Sequence, residues 1–453
     1  MSGSEKPAAQ GAAPSFQASS KSAGDPPLTG EAALQENRRL RALLDSFALL
    51  NSSLELDTVL GNTLTTACDL MSASIASIAL INNDGTELEF LESNDPNFDK
   101  LKKLAVPLGQ GVAGTVAISG KTERIADIHE DSRFYQEIDR ALGQTTSSYL
   151  CTPLIVEDKI IGTLQIMNRR SELGQGSAFT AEDEPLVEGF ARQAALAIQN
   201  AKMHQLKLQQ RAFDLEMQVC AEIQANLFPR RVPDLPGFEL YGASVPAQQV
   251  GGDYYSFVER PDDTCDVVLA DVSGKGLPAS LIVSDFHTGY QLLVQLEDPI
   301  EVSFDKLNAH LTETLVTGKF ITVFAVRITP GQNRLEYVVA GHPPPYIIRA
   351  NGEIEELRRT GPVLGLIEVP FTKGEIEMYP GDILLAFSDG FSEVHDESEE
   401  LYGEDRMAKF VQEFRSESLA TIHERLKHDV DRFRDEVPLP DDMTINLIRR
   451  LPG

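Results

Sequence analysis

Two aspartates close together in the chain carry the first chemical signal. Val250-Gly-Gly-Asp253-Tyr-Tyr-Ser-Phe is followed by Ala270-Asp271-Val-Ser-Gly-Lys-Gly276, with the turn signal Pro261-Asp262-Asp263 between them. A hairpin centred on Asp262 sets Phe257 against Val267, Tyr255 against Leu269 and Asp253 against Asp271. Side chains alternate along a strand, so these three pairs share one face. Opposed Cβ atoms lie about 5 Å apart, where like charges repel. Either one carboxyl keeps its proton at a raised pKa, or cations sit between the two. Carboxylate oxygens suit hard ions such as Mg2+ or Mn2+. A register slipped by one residue would put the acids on different faces, and the hairpin alone leaves both arrangements open.

Further acids end strands downstream. The apolar run Ile383–Phe387 leads into Ser388-Asp389-Gly390, and Pro440-Asp441-Asp442 leads into a final β-pattern over Thr444–Arg449. Asp253, Asp271, Asp389 and Asp441 would then stand at strand ends of one β domain, a combination more specific than any single turn aspartate.

The elements that must position them fall into an ordered series. Residues 1–30, rich in Ala, Ser, Pro and Gly, read as a disordered tail, and a helix is expected over about 31–52 within an N-terminal segment 31–54. Residues 55–200 read as one α/β domain, with hairpin pairs at Ile75–Ile81 with Leu88–Leu91 and Tyr149–Val156 with Ile160–Met167. Thr180, with Asp183 three residues on, caps a long helix running to Leu227, so 201–235 is a helical linker. Along it Leu206, Phe213, Cys220 and Leu227 recur every seven residues with Met217 between, a coiled-coil pattern that predicts a homodimer; a helix lying on its own domain is the alternative. Residues 236–453 hold many short β-patterns with segregated helices, which predicts an antiparallel β-sandwich covered by helices.

Composition narrows the function. The 453 residues are 42% hydrophobic and 24% charged, so a core is expected. The formal charge of −29 argues against binding nucleic acid or an anionic membrane. No apolar run suits a membrane span or a secretory signal, and the four scattered cysteines (Cys68, Cys151, Cys220, Cys265) fit a reducing cytoplasm and offer no zinc site.

The motifs VGGDYYSF, ADVSGKGLPASL, AGHPPPY, GPVLGL, LLAFSDGFSE, YGEDRM and DDMT occur in order over about 215–450, after the entry segment Ala221-Glu-Ile-Gln224…Leu227-Phe-Pro229. Together they resemble the SpoIIE/RsbU branch of the PPM-type, metal-dependent serine/threonine protein phosphatases. The resemblance implies an α/β/β/α sandwich. It implies two Mn2+ or Mg2+ ions held by Asp253, Asp271, Asp389 and Asp441 with the backbone carbonyl of Val272; Asp442 is the alternative to Asp441. A metal-activated water would then hydrolyse phosphoserine or phosphothreonine without a covalent intermediate. Lys275 and His342 stand as candidate substrate contacts, against a solvated loop lysine and a structural Gly-His-Pro turn. The implied partner is an anti-sigma-factor antagonist of the STAS class; the competing class is a scaffold that binds a phosphoprotein without turnover.

Residues 55–200 resemble a GAF domain through VPLGQGVAGTVAISGK, CTPLIVEDKIIGTLQIMNR and FARQAALAIQNA. Asn168, Arg169, Phe179, Asp183 and Glu184 approximate the signature of cyclic-nucleotide-binding GAF domains, with Arg in place of Lys; a structural bridge is expected of them, with a cyclic nucleotide as one candidate ligand. Gly109-Gln-Gly111-Val-Ala-Gly114 matches G-x-G-x-x-G but lacks the βαβ setting that dinucleotide binding needs.

Overall fold

The hairpin expected around Asp262 forms in a computed structural model of the chain, which describes residues 41, 44, 46–128, 131–133, 146–170 and 177–452. The tail expected over 1–30 lies outside the described residues, and of the helix expected over 31–52 only positions 41, 44 and 46–50 fall within them, all helical. The chain divides into two compact units, Met1–Gln209 and Gln210–Gly453.

The first unit is built on a six-stranded antiparallel sheet. Its strands are β1 (Ala73–Ile81), β2 (Glu87–Ser93), β3 (Ala105–Pro107), β4 (Glu123–Ile125), β5 (Tyr149–Val156) and β6 (Lys159–Arg169), in the order β3-β2-β1-β6-β5-β4. Glu157 and Asp158 both take positive φ (47° and 64°), the two-residue turn that matches strand twist. Helix α1 (Leu56–Met71) packs Val59, Leu60 and Leu64 with Ile78, Leu164 and Ile166 in one core. A short α2 (Phe98–Leu101) and then α3 (Gly111–Ser119) follow, and Val112 and Val116 of α3 join Leu88, Phe90 and Cys151 in a second core. The glycines of the G-x-G-x-x-G match have structural duties here. Gly109 and Gly111 take positive φ, and a Cβ at Gly114 would collide with the Pro107 carbonyl.

Helix α4 (Asp183–Ala225) is a single 43-residue helix. Phe190, Ala194 and Ile198 lie in the first-unit core, while Met217 is buried further along. Of the seven-residue series, Leu206 and Phe213 are half exposed, whereas Leu227, beyond the helix end, packs on the core of the second unit.

The second unit is a four-layer α/β/β/α sandwich. One sheet contains β8 (Asp253–Glu259), β9 (Cys265–Val272), β10 (Ile321–Ile328), β11 (Arg334–Ala340) and β14 (Gly374–Glu377), in the order β14-β11-β10-β9-β8. The other contains β7 (Phe238–Val245), β12 (Tyr346–Ile348), β13 (Ile354–Glu356), β15 (Ile383–Phe387) and β16 (Met443–Arg450), in the order β13-β12-β15-β16-β7. Helices α5 (Leu277–Val294) and α6 (Ile300–Thr314) cover the first sheet with Val283, Phe286, Phe304 and Leu307. After a single turn, α7 (Asp389–Ser392), helices α8 (Glu404–Glu413) and α9 (Leu419–Arg434) cover the second with Met407, Val411, Ile422 and Leu426. Between the sheets lie Phe257, Val267, Leu269, Phe324, Leu384 and Ile448. Fully burying one such side chain stabilises the fold by about 1.5–3 kcal/mol.

Candidate metal centre

The register of β8 and β9 pairs Asp253 with Asp271, Tyr255 with Leu269 and Phe257 with Val267. The slipped alternative is thereby excluded. Because Phe257, Val267 and Leu269 face the space between the sheets, period-two alternation turns Asp253 and Asp271 inward at that interior's open end. The second sheet brings its own acids to the same end: Asp389 follows β15, and Asp441 and Asp442 precede β16, which pairs with β15.

These acids have different surroundings. Asp253 is 3% exposed, and burial together with the Asp271 charge raises its pKa well above the usual carboxylate range, a rise that a hydrogen bond from Ser388 opposes. That bond, Ser388 Oγ to Asp253 Oδ2, is 2.7 Å and ties one sheet to the other. Asp271 is pushed up to about 7 by burial and by the charges of Asp389 and Asp441. Asp389 is pushed up to about 6 by burial and by Glu393 and Asp441. The pattern is a cluster of like charges raising one another in a partly desolvated place.

The adjacent acids Asp441 and Asp442 divide their work. Asp442 is buried and accepts backbone hydrogen bonds from Ala247 (2.7 Å), Gly252 (2.6 Å) and Asp253 (3.3 Å). A Cβ at Gly251 would collide with that carboxylate. Asp442 is thus consumed in fixing the loop that delivers Asp253. Asp441 is partly exposed and faces a cation, Lys275 Nζ at 3.1 Å, which also contacts the Pro440 carbonyl. Lys275 therefore meets an acid of the cluster. Among the described residues, no three His, Cys, Asp or Glu side chains form a closed metal-holding group. The donor chemistry nonetheless fits hard divalent ions: carboxylate oxygens from two sheets face one another, and their raised pKa values show uncompensated negative charge.

His342 requires a correction. It is fully buried, and burial lowers its pKa to about 3, so it stays neutral and touches no solvent from which a substrate could approach. Its Nδ1 bonds Thr322 Oγ1 at 2.8 Å, and Thr322 lies opposite Asp271 on β10. The imidazole supports the strands beneath the acids and cannot serve as a substrate contact.

Three groups at this site were not assigned roles from sequence: Ser388, Glu393 and Gln224. Gln224, near the end of α4, brackets Gly251, donating to its carbonyl at 2.7 Å and accepting from its N–H at 3.1 Å. Only the adjacency of Ser388 and Glu393 to Asp389, and the position of Gln224 in the entry segment, offered any signal.

Residues 261–451 match the family model described as Stage II sporulation protein E (SpoIIE), and residues 55–198 match the GAF domain model. The chain thus carries a GAF domain followed by a SpoIIE domain. Its second domain belongs with the phosphatases of the PPM class. The GAF–SpoIIE chain is 27% identical over 237 residues to "Phosphoserine phosphatase RsbU" of Bacillus subtilis, an alignment covering 52% of this chain and 70% of that one. It is 25% identical over 224 residues to "Protein IcfG" of Synechocystis, covering 43% of this chain and 35% of that one. The solved SiaA-PP2C domain of Pseudomonas aeruginosa superposes with a TM-score of 0.49 at 20% identity, covering 54% of this chain and 98% of that one. Asp271, Asp389 and Asp441 fall inside the SpoIIE match, and Asp253 lies just before it.

In the GAF domain the signature residues form a brace. Arg169 pairs with Asp183 and lies 5.8 Å from the Phe179 ring centre. Asp183 also accepts from the Thr180 N–H (2.7 Å) and hydroxyl (3.0 Å), which completes the α4 N-terminus. Asn168, at positive φ, accepts from the Ser147 N–H at 2.8 Å, and Glu184 pairs with Arg124 at 2.8 Å. No described helix is long and apolar enough to cross a membrane.

Proposed function

We propose that the GAF–SpoIIE chain is a regulated protein serine/threonine phosphatase that removes phosphate from a partner protein in the cytoplasm. The supporting observation is the opposition of Asp253 and Asp271 at the mouth of the sandwich, with Asp389 and Asp441 arriving from the other sheet. Asp253, Asp271, Asp389 and Asp441, with the Val272 carbonyl, would hold two Mn2+ or Mg2+ ions. When bound, such ions lower the pKa of a water for attack on phosphorus and neutralise charge on the phosphoryl oxygens. The chain's own groups do the positioning. Ser388 orients Asp253, Asp442 fixes the 247–253 loop, and neutral His342 supports Thr322 behind Asp271.

Regulation would run along α4. Its first turn is braced in the GAF domain by Asp183, and near its end Gln224 grips Gly251, two residues before Asp253. A ligand or partner of the GAF domain that biases α4 would thereby bias Asp253, and the exposed Leu206 and Phe213 suit pairing in a homodimer. The partner substrate is an anti-sigma-factor antagonist of the STAS class, in keeping with the resemblance to RsbU. The deciding measurement is Mn2+-dependent phosphate release from a phosphoserine substrate by the wild type and by Asp253→Asn. Release by the wild type alone is expected; equal release by both would remove the site assignment. A protein that binds the phosphoprotein but releases no phosphate with any divalent ion would be a scaffold.

A further inference from the structure

Beside the acids stands a ledge whose construction is not explained by holding metal ions. After β13 the chain returns through Leu364, which pairs with Ile321 of β10 by backbone hydrogen bonds of 3.1 and 2.9 Å. The next three residues are clamped by one buried side chain. Asn308 of α6, 1% exposed, accepts from the Gly365 N–H at 2.8 Å and donates to the Ile367 carbonyl at 2.8 Å. Gly365 takes a φ of +85°, and a Cβ there would strike Leu315. The outcome is a rigid loop that displays Leu366 (45% exposed) and Ile367 (53%) to solvent, beside Val316 (74%) on the adjoining turn. Single exposed aliphatic residues need no explanation, but two side by side on a loop locked by a buried asparagine, with a third on the turn that the loop packs against, form a built surface.

The same turn carries a cation. The Lys319 N–H bonds the Val316 carbonyl at 3.0 Å, and the Lys319 carbonyl lies 3.7 Å from where a Cβ on Gly365 would sit. Lys319 Nζ donates to the Ser273 carbonyl at 2.9 Å, two residues past Asp271, and pairs with no carboxylate among the described residues. Ser273 and Phe320 are joined by two further hydrogen bonds of 3.0 Å, so this ammonium is held at the rim of the acid cluster. In a chain of net charge −29, a partly buried lysine without an acid partner is placed to meet an anion.

We infer that this ledge receives the substrate: Lys319 meets the phosphate of a phosphoserine, and Val316, Leu366 and Ile367 take aliphatic side chains flanking it on the partner protein. The inference rests on the phosphatase function proposed above and adds which face the phosphoprotein uses and what sequence it presents. Lys275 Nζ faces Asp441 at 3.1 Å, whereas Lys319 Nζ meets only a backbone carbonyl and no carboxylate among the described residues.

Three probes test it on the full chain with Mn2+: p-nitrophenyl phosphate, a phosphoserine peptide flanked by Leu and Ile, and the same peptide flanked by Gly. The wild type is expected to favour the aliphatic peptide in kcat/KM by about tenfold, the scale of burying one or two side chains. In the double variant Leu366→Asp, Ile367→Asp the ratio between the two peptides should fall to near one. Lys319→Met should raise KM for both peptides several-fold while Lys319→Arg keeps it near the wild-type value. Because the ratio is internal to each protein, loss of folded material does not alter it. Equal use of both peptides by the wild type, or a preference that survives the double variant, overturns the ledge while leaving the phosphatase function standing. No hydrolysis of p-nitrophenyl phosphate by the wild type overturns both.

Discussion

The two ends of the β8–β9 hairpin bury aspartates in opposite ways. Near the turn, Asp266 is fully buried and faces the helices. Arg327, its cross-strand partner, donates to both of its oxygens at 2.8 and 3.0 Å, Tyr290 donates at 3.0 Å and Arg260 at 3.3 Å. The charge is satisfied within the protein. At the open end, Asp253 and Asp271 face the sheet interior and each other, with further acids across the gap and only partial compensation, from the Ser388 hydroxyl on Asp253 and from Lys275 on Asp441. The same residue type, on one strand and its neighbour, serves stability at one end and a requirement for cations at the other. What separates them is whether the neighbours supply compensating charge.

The first way to break this comparison is at the satisfied end. Asp266→Asn leaves Arg260 and Arg327 buried without their anion and should cost about 3–5 kcal/mol, measured by urea unfolding with spectroscopic detection. A loss below about 1 kcal/mol would show that the arginines are adequately solvated without it. At the other end the sign of the stability effect reverses. Asp253→Asn removes a repelling charge, so it should unfold no earlier than the wild type in the absence of divalent ions, while its Mn2+-dependent phosphate release falls at least about a hundredfold.

A smaller effect is expected at the Ser388 hydrogen bond, which softens the acidic end. Ser388→Ala should weaken Mn2+ binding by about tenfold, the usual range for a group that orients a metal ligand, and titration calorimetry would register it. The smallest effect is one of pH. The folded-state pKa values of Asp271 (about 7) and Asp389 (about 6) lie above the ordinary carboxylate value. The folded protein therefore binds more protons than the unfolded chain between about pH 4 and 7, and stability falls as pH rises through that window. Without divalent ions the melting temperature should drop by about a few degrees across it, and saturating Mn2+ should flatten the profile. A profile that rises with pH would mean the carboxylates are already neutralised.

Much of this was legible from sequence, for definite reasons. The pairing of Asp253 with Asp271 was one of two arrangements that the turn signal and the period of a strand left open, and the register of β8 on β9 selects it. The long α4 followed from the scarcity of Gly and Pro between its caps. The strands Ile354–Glu356 and Gly374–Glu377 were missed, being too short to show alternation. The resemblance favoured Asp441 over Asp442 as a ligand, but the role of Asp442 was invisible, since it depends on which carboxylate meets the amides of Ala247 and Gly252, nearly two hundred residues earlier in the chain. His342 was equally opaque: its burial is set by where two sheets close over it, and a Gly-His-Pro turn carries no mark of that. Lys319 lay outside every motif, because its placement depends on contacts with the Ser273 carbonyl and with a loop that follows four strands later, between β13 and β14.

The clamp that Asp442 places on the amides before Asp253 has an evolutionary corollary. The loop from Ala247 to Gly252 is tied at both ends to one carboxylate at the far end of the domain and at Gly251 to Gln224, so its length is fixed from both sides. Inserting or deleting one residue there would unseat the clamp, and one removed from within β8 would also rotate the aspartate into the helical layer. A longer hairpin tip at Asp262 would leave this clamp untouched, whereas any change in the length of the 247–253 segment would not.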